Sequence, residues 1–181
     1  MSSAERQYSH ILTSVRCFIA SFLDPDCAAQ LHAHLNAVRA AAQALRWLPA
    51  ENYHITLQFL GNIDTVQLTQ WHARIAALDG HRLRCHAAGW RGYPSSRKAR
   101  AIALTLAPCP ELRNWHQLLS GQESGEATGK NFEAHITVAR HKRGVTLPEL
   151  PNLQGTQLEL LAPALYESET LPTGARYRRL D

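Results

Sequence analysis

Apolar and polar positions alternate most cleanly in two short stretches, residues 53–60 and 134–139. Both carry the word His-apolar-Thr-apolar: His54-Ile55-Thr56-Leu57 and His135-Ile136-Thr137-Val138. Side chains in a strand alternate with period two, so His54 and Thr56 share one face and Ile55, Leu57 and Phe59 the other. The same rule sets His135 and Thr137 against Ile136 and Val138. Each stretch is predicted to be a half-buried strand with an imidazole and a hydroxyl side by side on its open face. The two histidines stand 135 − 54 = 81 residues apart, a little under half of the 181-residue chain.

The remaining pattern supplies the frame. Residues 15–23 are apolar on both parities apart from Arg16, which suits a central strand. Asp24-Pro25 then offers an N-cap followed by Pro at the first helical position. That predicts a helix to about residue 45, with Leu31, Leu35, Val38 and Ala42 on its inner face. His32 and His34 lie about 200° apart on it and are expected to be solvated. Residues 46–49 read as an extended connector and 49–52 as a turn. The first histidine strand is expected to end at Gly61-Asn62. Asp64 caps a second helix over 65–79, closed by Asp79-Gly80.

Residues 81–90 and 101–106 read as the strands of a long hairpin around a basic loop, 91–100. A third helix is expected over 111–120, then a Gly-rich loop over 121–129. The second histidine strand leads into the basic run 140–143. Residues 145–155 read as a Pro-containing linker, 157–166 as a strand, 167–174 as a turn region and 175–180 as a last strand. Helices and strands are interspersed, with hairpins and short connections, so the class expected is α+β with antiparallel sheets. Two related half-chains, each giving one histidine strand to a shared cleft, account for the near-half spacing.

Composition adds less. The length and the 45% apolar content fit one domain over 1–181, with 1–13 as a loose lead-in. Formal charge is +4, and 16 of the 19 basic residues are Arg. Arg contacts phosphate in a planar, bidentate way, so a phosphate-bearing partner is compatible with this balance without being required by it. Cys17, Cys27, Cys85 and Cys109 have no metal-finger spacing and read as reduced thiols of a cytoplasmic protein. No apolar run is long enough to span a membrane, and a monomer is expected.

By chance, a His-apolar-Thr-apolar word should arise about 0.1 times in such a chain. Two copies, each at a strand, therefore point to a joint role. With an ordinary pKa near 6.5, one imidazole can be neutral while its partner is charged at neutral pH. One then takes a proton from an attacking water and the other gives a proton to a leaving alkoxide, with no metal and no cofactor. The two Thr hydroxyls can donate to the non-bridging oxygens of a phosphorus centre. Neither motif carries the Asp, Glu, Cys or second His of a metal site within ligand spacing, apart from His141.

The chain resembles the two-histidine phosphoesterases, and among them the bacterial RNA 2′,3′-cyclic phosphodiesterases, also called 2′-5′ RNA ligases. The resemblance runs from 16–20 through 47–61 and 132–140 to the ending 158–180. Asn52 before the first motif, Phe-Leu-Gly after it and Arg140 after the second make it specific. It implies a two-lobed α+β fold with pseudo-twofold symmetry, antiparallel sheets lining a central cleft and helices outside.

The implied activity is hydrolysis of a terminal 2′,3′-cyclic phosphate on RNA to a 2′-phosphate, with 2′-5′ joining as the reverse-type reaction. The partner is then an RNA with such an end, tRNA halves being one candidate. By that analogy His54 protonates the departing 3′ oxygen, His135 activates water, and Thr56, Thr137 and Arg140 hold the phosphate. Strict alternation puts Arg140 on the wrong face of its strand, so reaching the cleft requires a bulge or a strand end there. Phe132, Tyr93, Arg97 and Lys98 are candidate RNA contacts. Glu133-Ala134 departs from the basic residue and Pro expected before the second motif. The alternatives are a phosphodiesterase on small cyclic nucleotide phosphates or 2′-5′ oligonucleotides, and a non-catalytic binder of phosphate or RNA ends.

Overall fold

The computed structural model describes residues 15–78, 80–121, 132–172 and 174–180. The lead-in over 1–13, Asp79 and residues 122–129 of the Gly-rich loop lie outside the described residues. Nine strands and four α-helices are described: β1 (Val15–Phe22), α1 (Pro25–His34), α2 (Asn36–Ala41), β2 (Arg46–Trp47), β3 (His54–Ile63), α3 (Thr65–Ala76), β4 (Leu83–Tyr93), β5 (Ala99–Leu106), α4 (Pro110–Ser120), β6 (His135–Val145), β7 (Gln157–Leu160), β8 (Ala164–Leu171) and β9 (Gly174–Leu180). They form two antiparallel sheets, ordered β3-β1-β8-β9 and β2-β6-β5-β4-β7. The class is α+β. None of the described helices is long and apolar enough to cross a membrane.

Each sheet repeats one unit. A strand (β1 or β5) leads through a helix (α1 or α4) to a histidine strand (β3 or β6) that returns antiparallel beside it. The registers match residue for residue. Phe22 faces His54 and Ala20 faces Thr56; Thr105 faces His135 and Ala103 faces Thr137. After each Thr the ladder skips one residue, Leu57 in β3 and Val138 in β6: Ile19 pairs with Gln58 and Ile102 with Ala139. The fourth letter of both motifs is therefore a bulge.

Between the sheets and helices lies the main core, with Ile19, Ile55, Leu57, Ile102, Leu104, Leu112, Leu119, Ile136 and Val138 nearly or fully buried. Burying one such side chain stabilises by roughly 1.5–3 kcal/mol, which anchors the inner face of both histidine strands. Asp24 caps α1 by accepting from the Asp26 amide at 3.0 Å. Asp64 and Gln67 form a reciprocal capping box on α3.

Several expected boundaries are corrected. The helix expected over 25–45 stops at His34, and Asn36, a poor helix former, starts the short α2. The connector at 46–47 is a strand because it runs along the free edge of β6. The strand expected over 157–166 is two strands in different sheets: β7 pairs with β4, and β8 with β1. Pro163, which has no amide hydrogen to give a ladder, stands between them. The basic run 140–143 is part of β6, which continues to Val145. His32 is not solvated: its Nδ1 lies 3.0 Å from the Tyr53 hydroxyl, and Arg39 reaches its other nitrogen. That contact holds Tyr53, 1% exposed, directly before the first motif.

Candidate functional site

His54 opens β3 and His135 opens β6, and both line one cleft of about 640 Å³. Thr56, Thr137, Arg140 and Phe132 line it too. The sheet faces thus meet as the motif spacing requires. Each imidazole is fixed in the same way. His54 Nδ1 lies 2.8 Å from the Asn52 carbonyl, and His135 Nδ1 lies 2.8 Å from the Glu133 carbonyl, two residues upstream in both cases. A carbonyl only accepts, so Nδ1 carries the hydrogen in each ring and Nε2 is the nitrogen left for proton transfer. Asn52 is itself tied to β9, its side-chain amide donating to the Ala175 carbonyl at 3.1 Å.

The surroundings of the two rings differ sharply. Around His54 the wall is aromatic: Phe22 stacks on it at 4.8 Å, Phe18 lies at 5.2 Å and Tyr177 meets it edge-on at 5.1 Å. Burial there pushes its pKa down to about 4, with Arg140 and His135 adding repulsion against the protonated form and the Asn52 carbonyl opposing them.

Around His135 the wall is polar. The Tyr93 ring lies 5.0 Å away, and its hydroxyl donates to Glu133 at 2.7 Å. Arg91 reaches the other oxygen of the same carboxylate at 2.5 Å. The Tyr93 hydroxyl, then Arg91, hold Glu133 below its ordinary pKa against its desolvation, and the charge of His135 acts in the same direction. Glu133, the departure from the expected motif, thereby pins the chain segment whose carbonyl orients His135.

Arg140 faces the cleft because Val138 is a bulge. The skipped residue restores the parity that strict alternation denies it, and Arg140 lines the same wall as His135 and Thr137. Neither Thr56 nor Thr137 bonds a protein group through its hydroxyl among the described residues, so both hydroxyls are available to a ligand. Phe132 stacks face to face on His116 at 4.4 Å, and His116 Nδ1 donates to the Leu57 carbonyl at 2.6 Å, bonding α4 to the bulge of β3.

Tyr93 closes β4, inside the segment expected to be a loop, with its ring turned to His135. Arg97 and Lys98 stand at the exposed tip of the β4–β5 hairpin and do not line the cleft. Phe59, expected on the buried face with Ile55 and Leu57, lines the cleft instead, because the bulge at Leu57 shifts its parity. Arg16, Arg46, Phe18, His116 and Tyr177 line it without having been singled out in the sequence. For Arg16 and Phe18 a signal existed, since they share the parity of Ala20, which faces Thr56. For the others none did, because each is brought in by a helix or a distant strand.

The arrangement brings together in one cleft two imidazoles with fixed tautomers, two hydroxyls and the arginines Arg16, Arg46 and Arg140, none of the hydroxyls or arginines being bonded to a protein side chain among the described residues, a set suited to proton transfer around an anionic ester. A family model described as LigT like Phosphoesterase matches residues 22–103. The structure of TT0787 from Thermus thermophilus is similar at 28% identity with a TM-score of 0.74, over 92% of this chain and 95% of that one. Escherichia coli LigT shares the fold: its complex with 3′-AMP matches at 21% identity and TM-score 0.72, over 93% and 96% of the two chains. Its complex with ATP matches at 21% identity and TM-score 0.73, over 93% and 95%. No curated protein matches the chain.

Proposed function

We propose that the chain is a LigT-like phosphoesterase of the two-histidine superfamily, and that it hydrolyses the 2′,3′-cyclic phosphate at the end of an RNA to a 2′-phosphate. The observation that carries the reading is the pair of histidines in one cleft, each with Nδ1 tied to a main-chain carbonyl and Nε2 left over. The nucleotides bound by the E. coli LigT structures are compatible with it.

In this reaction water attacks phosphorus, and its proton passes to the Nε2 of one histidine. The bond from phosphorus to the 3′ oxygen breaks, and the other histidine gives its Nε2 proton to that oxygen. The product carries a 2′-phosphate and a free 3′-hydroxyl. We assign the base to His54 and the acid to His135, the reverse of the order the family resemblance implies. Aromatic burial lowers the pKa of His54 to about 4, so it is neutral at neutral pH and ready to take a proton. Thr56, Thr137 and Arg140 receive the non-bridging oxygens, whose charge grows as the fifth bond forms. A 5′-hydroxyl in place of water gives a 2′-5′ joint by the same proton transfers.

The test is product identity. An RNA oligonucleotide with a 2′,3′-cyclic phosphate end is incubated with the protein in EDTA, and the end group is read by phosphorus NMR. A 2′-phosphate is expected. A 3′-phosphate, or no turnover, overturns the reading.

A further inference from the structure

We propose that Arg46 and Arg140 together form a second phosphate subsite beside the reacting one, so that the substrate is an oligonucleotide end rather than a free mononucleotide. The proposal deepens, and rests on, the phosphoesterase reading above. β2 consists of only two residues, and its pairing sets Arg46 directly opposite Arg140. Directly opposed residues in an antiparallel ladder have their Cβ atoms about 4.5–5.5 Å apart, and like charges there destabilise the pair. Neither guanidinium has an ion-pair or hydrogen-bond partner among the described residues. The fold therefore sets two arginines opposite one another in the ladder with no ion-pair partner among the described residues, and a bound anion offsets their repulsion.

The two arginines also stand at a junction. Both line the cleft of the histidines, and both line an adjoining cavity of about 530 Å³. That is within the range of small-ligand pockets, about 300–1,000 Å³, and has room for one more nucleotide. Its charged lining is Arg46, Arg140 and Arg176 against one carboxylate, Glu51. The head of Arg46 lies along the β8–β9 hairpin, its Nη1 being 3.7 Å from where a Cβ on Gly174 would sit. Arg140 shares its face with His135 and Thr137 and serves the reacting phosphate, while Arg46 faces the next phosphate of the backbone as it enters the second cavity. A mononucleotide has no second phosphate to fill that place.

The experiment is calorimetric binding of two product-like ligands, a nucleoside 2′-phosphate and a dinucleotide ending in a 2′-phosphate, to the wild type, Arg46→Gln and Arg46→Lys. The wild type is expected to bind the dinucleotide at least about tenfold tighter than the mononucleotide, the worth of a charge-assisted contact. Arg46→Gln is expected to bring that ratio close to one and to lower the salt slope for the dinucleotide by about 0.7, as expected for one lost contact to a single strand. Arg46→Lys is expected to keep the slope and lose part of the ratio, because Lys supplies charge without the bidentate fork. A wild-type ratio near one, or equal weakening of both ligands by Arg46→Gln, overturns the subsite. An intact ratio in a protein that does not turn over a cyclic phosphate supports the subsite while overturning the catalytic reading.

Discussion

Phe59 and Arg140 hold corresponding places in the two halves of the cleft. Each lies three residues after the motif Thr, each is turned to the open face by a bulge at the residue after that Thr, and each faces the matching residue of its neighbouring strand: Phe18 opposite Phe59, Ala101 opposite Arg140. One half thus presents an aromatic ring where the other presents a guanidinium. In the proposed reaction the ring offers a surface on which a base can stack, and the guanidinium a group that can hold a phosphate.

Arg140 is accordingly expected to act on the transition state. Arg140→Ala should lower kcat/KM by about 10²–10³-fold, the scale of losing one stabilising donor. Arg140→Lys should recover only part, because Lys lacks the planar fork. Steady-state kinetics on a cyclic-phosphate RNA checks this, and a change of less than about threefold in Arg140→Ala would remove Arg140 from the site.

Phe59 is 72% exposed, so the core does not need it. Phe59→Ala should leave the unfolding free energy within about 0.5 kcal/mol of wild type and raise KM by about tenfold, the scale of one base–aromatic stack. Phe59→Tyr should keep wild-type KM. Denaturant titration and kinetics on the same samples separate the two effects.

The burial of His54 has a sign in stability. The unfolded chain takes up a proton at this residue near 6.5, while the folded chain does so only near 4. Between those values the unfolded state binds more protons, so stability is full above pH 6.5 and is lost as pH falls toward 4. Between about pH 7.5 and 5 the wild type should lose about 2 kcal/mol more than His54→Gln. Urea titrations at both pH values measure the difference, in which His32 and the carboxylates, common to both proteins, cancel. Equal losses would mean that His54 is not held neutral.

The division into base and acid has its own test. A p-nitrophenolate leaving group needs no proton, so His135→Ala should cleave a p-nitrophenyl phosphodiester with a loss of no more than about tenfold, whereas His54→Ala should lose about 10²–10⁴-fold. The opposite ranking would exchange the roles.

Much of this was legible in the chain. Two copies of one four-residue word located both histidine strands, the faces of the four motif residues and the shared cleft, because strand periodicity is a local property; Phe59, beyond the bulge, was placed on the wrong face. The bulge was not legible. Leu57 and Val138 fit the alternation, and the skipped residue is visible only in the pairing with the neighbouring strands, where Ala20 and Ala103 stand opposite the two Thr residues. Arg46 was invisible for a similar reason. A two-residue strand carries no periodicity, and its meaning comes from lying against Arg140, 94 positions later (140 − 46). The aromatic wall around His54 draws Phe18 and Phe22 from β1 and Tyr177 from β9, at opposite ends of the chain, so the lowered pKa of His54 lay beyond any local reading.

The central claim is that His54 and His135 act as one proton-transfer pair on a phosphodiester. It is tested most directly by turnover of an RNA ending in a 2′,3′-cyclic phosphate, in EDTA, by wild type, His54→Ala, His135→Ala and the double variant. Each single variant should lose at least about 10²-fold, and the double variant should be little worse than the poorer single one, since members of one catalytic unit are not additive. Turnover at the wild-type rate in either single variant would contradict the account.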